Sequence, residues 1–303
     1  MTIFDQAEEI VQRSSLFELR GKVTDIRGLL IEGSGPQVPV GSHVTIKNGA
    51  QSVQAQVIGF RSNRVLLMPF GETHGIAPGF CITAVEGNCN VRVSNQLQGR
   101  IIDALGNPLD GRELPLMEQV VPLYRDPPNP VSRVRITEPL DLGIKAMNGL
   151  LTVGKGQRIG IMAGSGVGKS TLLGMVAQHS RSDVNVIALV GERGREVREF
   201  IERDLGPEGL ARSVVIVATG NQSALLRIRA AFLATAIAEF FRDQGKNVNL
   251  MVDSVTRLAM AQREVGLAAG EPPSTRGYTP SVFAMLPKLL ERAGTCEGAG
   301  SIT

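Results

Sequence analysis

The sequence predicts an α/β chain: a small N-terminal β-barrel domain, then a mostly parallel sheet covered by helices. Three observations carry that expectation. Short, Gly-punctuated segments with alternating apolar residues fill positions 19 to 92. From about residue 141, continuous apolar runs alternate with stretches of helical periodicity, as a parallel sheet buried on both faces requires. Between one such run and one such stretch lies AGSGVGKST, residues 163–171.

Size and composition fit this architecture. The 303 residues are enough for two domains and a sizeable core. Hydrophobic residues make up 43% and charged residues 20%. No apolar run reaches the length of a membrane span. MTIFDQAEEIVQR lacks the basic start and apolar core of a signal peptide, so a cytoplasmic location is expected. Cys81, Cys89 and Cys296 show no CxxC pairing and read as small thiols rather than a metal site. A net charge of +3 is too mild to argue for a nucleic-acid partner. It would permit weak peripheral contact with an acidic membrane surface.

In chain order, residues 1–18 read as an acidic amphipathic segment, 19–92 as the barrel and 93–303 as the α/β domain. In the barrel, VTIK, Asn48-Gly49 and QSVQAQVIGF form a hairpin signal, because Asn-Gly readily takes the positive φ of a type I′ turn. Phe60, Phe70 and Phe80 suit core filling better than base stacking. Beyond the barrel, IIDALGNPLDG carries two turn signals. YRDPPNPVSR, with prolines at 127, 128 and 130, reads as an extended strap between the domains. Strands are expected at RIGIMA (158–163), VNVIALV (184–190), SVVIVA (213–218) and VNLMVD (248–253). Helices are expected at STLLGMVAQHS, REVREFIERDL and ALLRIRAAFLATAIAEFFRDQG, the last closed by Gly245. Glu199 and Arg203 stand at i, i+4 in the middle one.

AGSGVGKST departs from the phosphate-loop pattern G-x-x-x-x-G-K-[ST] only at Ala163. Strand before, helix after: successive backbone N–H groups would converge on phosphates at the positive end of the helix. Gly164, Gly166 and Gly168 let that backbone bend and approach, with Ser165 and Val167 between them. Lys169 would reach the β- and γ-phosphates, Ser170 would hold Mg²⁺, and Thr171 would join the loop residues in binding the nucleotide. Asp253 ends a buried strand, where an acidic residue suits holding magnesium through water; capping the next helix is the alternative. Glu192 follows VNVIALV and falls on the same sheet edge, able to face a γ-phosphate and polarise a water. Flanked by Arg193 and Arg195, it should stay ionised. Its residue pattern alone leaves a surface-loop salt bridge equally open.

The blocks GQRIGIMAGSGVGKSTLLGM, GERGREVREFIERDLG, RIRAAFLATAIAEFFRDQGKNV and MVDSVTRLAMAQREVGLAAGEPPSTRGYTPSVFAMLPKLLERAG together resemble the type III secretion ATPases, most closely their flagellar export branch. That family is related to the catalytic subunits of rotary ATP synthases. The resemblance covers nearly everything after the first twenty residues. It implies that the domain behind the barrel is a RecA-like ATPase core, with ATP and Mg²⁺ as cofactors. It further implies Glu192 as catalytic glutamate, Lys169, Ser170 and Asp253 as phosphate and magnesium ligands, and Arg193 and Arg257 beside the phosphates. Also implied are a homohexamer and work with export chaperone–substrate complexes, a stator or regulator protein and a membrane export gate. EGAGSIT ends as a strand opens, whereas family members continue into a C-terminal helical domain bearing an arginine finger. The expectation is therefore a fragment, monomeric and slow to hydrolyse ATP. Rival readings are an RNA-directed hexameric helicase and a non-catalytic nucleotide-binding subunit. The first would want a base-stacking, basic barrel, yet aromatics are 4% with no tryptophan. The second sits poorly with Lys169, Glu192 and Asp253 together.

Overall fold

A computed structural model describes residues 18–49, 51–85, 90–164 and 166–303. Residues 1–17 of the acidic N-terminal segment and Cys89 lie outside the described residues. The chain divides into two compact units, Met1–Asn88 and Cys89–Thr303.

The first unit is a closed six-stranded barrel. Its strands are β1 (Arg20–Arg27), β2 (Leu30–Gly33), β3 (His43–Asn48), β4 (Gln51–Arg61), β5 (Arg64–Pro69) and β6 (Cys81–Ala84), in the order β1-β2-β5-β4-β3-β6. Alternating side chains fill it, with Val23, Ile31, Val44, Ile46, Leu67 and Ile82 buried at its centre. The hairpin is present, but Asn48 pairs with Gln51, so the loop begins one residue later, at Gly49 (φ 57°). Phe70 is buried and Phe80 packs against the core, while Phe60 faces outward.

In the second unit β7 (Asn90–Val93) pairs with β9 (Gln119–Pro122) as a two-stranded sheet. The main sheet runs β13-β14-β12-β10-β11-β8. Its members are β8 (Arg100–Asp103), β10 (Val184–Val190), β11 (Ser213–Ala218), β12 (Asn247–Asp253), β13 (Gly294–Thr295) and β14 (Ser301–Ile302). All pairings are parallel except β13 with β14. Every residue of β10 is buried, as expected of a central strand covered on both faces. The helices are α1 (Lys145–Leu150), α2 (Lys169–His179), α3 (Gly194–Glu199), α4 (Gly206–Ala211), α5 (Ala224–Asp243), α6 (Val255–Ala269) and α7 (Pro280–Leu290). A π-helical turn, Phe200–Leu205, joins α3 to α4. Helix α5 is buried nearly all round because it packs on the central strands and on α6.

Two expectations change. RIGIMA forms no ladder: the sheet order is β13-β14-β12-β10-β11-β8, and residues 158–163 are not among its strands. Met162 there is 96% exposed. Conversely, the turn-rich segment after the barrel supplies an edge strand, β8. It is anchored by Arg100, whose Nε donates to Asp110 at 2.6 Å in a buried pair. The Arg100 guanidinium holds the Asp110 carboxyl well below the usual carboxylate range. The proline strap lies against the second unit. Buried Arg292 donates to the Leu123 carbonyl (2.8 Å) and twice to Glu239 (2.9 and 2.7 Å), and Arg125 meets Asp243 at 2.6 Å.

Candidate active site

Register brings the acidic residues together. β10 and β12 run parallel with Leu189 opposite Asp253, so Asp253 and the residues just after β10 share the carboxyl edge of the sheet. The chain leaves β10 through Gly191 at φ 76°. A Cβ there would stand 2.6 Å from Cδ of Arg257, so only glycine lets the Arg257 stem cross. The Gly191 N–H donates to the Ala218 carbonyl at 2.6 Å, and the Glu192 carbonyl accepts from Gly220 N–H at 3.0 Å. Glu192 is thereby held beside the end of β11, and its carboxylate faces Arg257 Nε at 3.3 Å.

Asp253, 4% exposed, ends β12 and is ion-paired with Lys169 Nζ from the first turn of α2. Ser170 and Thr171 follow on that turn. Gly168 precedes it in the left-handed conformation (φ 95°), as Gly166 also is (φ 77°). No atom would crowd a Cβ at Gly164, Gly166 or Gly168, so the loop's outer face is open to a ligand. Ser165 lies outside the described residues, and Val167 points outward. Ser170, Glu192, Asp253, Glu196, Phe200 and Asp204 share the wall of one cleft.

Burial, first, pushes the Glu192 carboxyl above its ordinary pKa. A hydrogen bond with Glu196 and the charge of Asp253 act in the same direction, while Arg257 and Lys169 oppose them. The expected influence of Arg193 and Arg195 is not what governs this group. Arg193 is exposed and donates to Glu196 at 3.1 Å, and Arg195 faces solvent. The hydrogen bond from Glu192 holds Glu196 below its ordinary value.

The donor set offers oxygen alone, a hydroxyl from Ser170 and a carboxylate from Asp253. Among the described residues no group of three or more His, Cys, Asp or Glu could cage a metal. An oxygen-only pair such as Ser170 and Asp253 suits Mg²⁺, which keeps several waters and takes one or two protein ligands plus phosphate oxygens. Sequence reasoning misses Glu196, Phe200 and Asp204. Glu196 stands four residues after Glu192 at a helix start, and that spacing is a signal that could find it. Phe200 and Asp204 depend on the π-turn, which a 3.6-residue period does not reveal.

The family model described as ATP synthase alpha/beta family, nucleotide-binding domain, matches residues 143–303, and that family's beta-barrel domain matches 23–85. A flagellum-specific ATP synthase of Bacillus subtilis is 55% identical over 97% of this chain and 68% of that protein. The chain belongs to the ATP synthase alpha/beta family. Within it the chain falls in the branch of the type III secretion and flagellar ATPases. A type 3 secretion system ATPase of Xanthomonas euvesicatoria is 50% identical over 93% of this chain and 64% of that protein. The assembled ATPase EscN of enteropathogenic E. coli superposes with a TM-score of 0.85 at 46% identity, over 93% of this chain and 68% of that one. The chain thus spans about two thirds of the length of these members of the ATP synthase alpha/beta family. No described helix is long and apolar enough to cross a membrane.

Proposed function

We propose that this chain binds and hydrolyses ATP as the nucleotide-handling part of an ATPase that energises type III, flagellar-type protein export. The observation that carries the reading is the convergence of Ser170, Glu192 and Asp253 on one cleft, at the start of a helix that follows a glycine-rich loop. In this reading the N–H groups of residues 164–168 wrap the phosphates. Lys169 leaves Asp253 to contact the β- and γ-phosphates. Ser170, and Asp253 through water, hold Mg²⁺, which when bound neutralises charge on the phosphate oxygens. Glu192 accepts a hydrogen bond from the attacking water and takes its proton as the water bonds to the γ-phosphorus and ADP departs. Burial strengthens Glu192 as a base, and Arg257, 3.3 Å away, favours its ionised form. Arg193 contributes only after releasing Glu196.

Partners follow from the same reading. EscN is described in complex with its central stalk EscO. For this chain we carry over self-assembly into a homohexamer and a stalk or regulator protein. Chaperone–substrate complexes and a membrane export gate complete the set, with work at the cytoplasmic face of the inner membrane.

The test is Glu192→Gln. It should bind Mg·ATP within about threefold of the parent while turnover falls by a factor on the order of 10² to 10⁴. Unchanged turnover would remove Glu192 from the mechanism. A parent protein that fails to bind ATP would remove the whole reading.

A further inference from the structure

We infer that Asp204 is a positioning residue for the nucleotide site. Its buried carboxylate, carried on the π-turn, fixes the first turn of α2 and therefore the placement of Lys169 and Ser170 against Glu192. The inference rests on the nucleotide reading above but is carried by different residues.

The π-turn and α2 meet along one stripe. Thr171, Gly174 and Gln178 are spaced i, i+3, i+7 and so lie on a single helix face. At the near end, Thr171 Oγ1 donates to Asp204 Oδ1 at 3.5 Å. One turn on, Gly174 lets the Asp204 carbonyl come close enough that a Cβ would stand 2.3 Å from its oxygen. At the far end, Gln178 Nε2 donates to the carbonyls of Asp204 (2.9 Å) and Leu205 (3.0 Å). All three rungs therefore involve Asp204, by side chain or by carbonyl.

A buried carboxylate has to be paired. The Asp204 side chain is 5% exposed, and Arg203 on the same turn reaches it with Nε at 3.0 Å and Nη2 at 3.1 Å. That pairing replaces the Glu199–Arg203 contact expected of a regular helix. It leaves the Asp204 carboxylate facing the Thr171 hydroxyl, next in sequence to Ser170 on the first turn of α2. The π-turn is continuous with α3, which begins two residues after Glu192 and bears Glu196. One element thus touches the base candidate at one end and the phosphate-loop helix at the other. π-helical turns recur at functional positions because the extra residue re-aims side chains.

The experiment compares the parent with D204A, D204N, T171V and the D204A/T171V double variant. Two readouts are taken on each: the Kd of a fluorescent ATP analogue with Mg²⁺, and hydrogen exchange of the nucleotide-free protein. Exchange is followed at Leu172, whose N–H closes the first helical bond to Gly168. D204A should weaken binding about fivefold, and T171V by a similar factor. The double variant should be no worse than either single one, because both remove the same contact. D204N keeps an acceptor oxygen and should recover most of the loss. Exchange at Leu172 should quicken in D204A while the amides of α5 stay as protected as in the parent. Multiplying effects in the double variant would overturn the inference, as would exchange that rises everywhere alike or binding within twofold in D204A. If the parent binds no nucleotide but Leu172 responds selectively, the nucleotide reading falls and the positioning role stands.

Discussion

Gly174→Ala sets two physical effects against each other. Residue 174 is inside α2, where alanine is favoured over glycine by up to about 1 kcal/mol. Propensity alone therefore forecasts a more stable protein. Packing forecasts the reverse. The added Cβ would stand 2.3 Å from the Asp204 carbonyl oxygen and 2.6 Å from its carbon. Both are backbone atoms of a turn that Gln178 also grips, so no side chain can swing aside, and the π-turn must move off α2. Overpacking of this kind costs about 1–3 kcal/mol, and the carbonyls of Asp204 and Leu205 would strain their bonds to Gln178 as well. The expected net change is a destabilisation of about 1–2 kcal/mol. Urea melts at constant slope measure it. Gly149→Ala in α1 is the control, since no atom lies within 4 Å of where its new methyl group would sit. Alanine there should stabilise by about 0.4 kcal/mol or more. A G174A protein as stable as its parent, or more so, would refute the account of the π-turn as a close-packed clamp.

Three further outcomes follow from named contacts. Arg292→Ala strands the buried Glu239 carboxylate and should cost about 3–5 kcal/mol in chemical melts, while replacing both partners by apolar residues of similar volume should cost much less. Equal costs would mean the stranded charge is not the cause. Asp110, held below its ordinary value by Arg100, contributes stability that is complete above about pH 4 and is lost as pH falls through its lower folded value. D110N should accordingly show a flatter fall in urea midpoint from about pH 5 to about pH 2, and an unchanged slope would contradict the assignment. Gly191→Ala meets both a positive φ, worth about 1–2 kcal/mol, and the Arg257 stem. It should lower the melting midpoint and separate Arg257 from Glu192, which a structure of the variant would show directly.

Much of this molecule is legible before any coordinates. β10, β11 and β12 announce themselves as unbroken apolar runs, because a strand covered on both faces has no polar side to alternate with. Asp253 and Glu192 are legible because parallel strands deliver whatever follows them to one edge. RIGIMA shows the limit of the same rule. Its apolar run is as good as the others, yet a strand also needs an edge to bond with, and that is a property of the rest of the sheet. β8 shows the converse, since a segment that reads as turns becomes a strand once Arg100 and Asp110 neutralise each other in the interior. The charge state of Glu192 does not follow from its neighbours in sequence. Arg193 and Arg195 lie next to it in the chain but turn away, while Arg257 reaches it from the start of α6 and Glu196 from the first turn of α3. Asp204 leaves no periodic trace, because a π-turn inserts a residue into the very repeat by which helices are recognised.

The pairing of β10 with β12 acts as a ruler for the cleft. Side chains on a strand alternate faces with every residue, so the ladder that sets Leu189 opposite Asp253 also decides which face receives the carboxylate. Adding or removing a single residue within β12 would leave its apolar character almost unchanged and yet carry Asp253 to the opposite side of the sheet from Lys169. The cleft therefore tolerates changes of residue along that strand far better than changes of length.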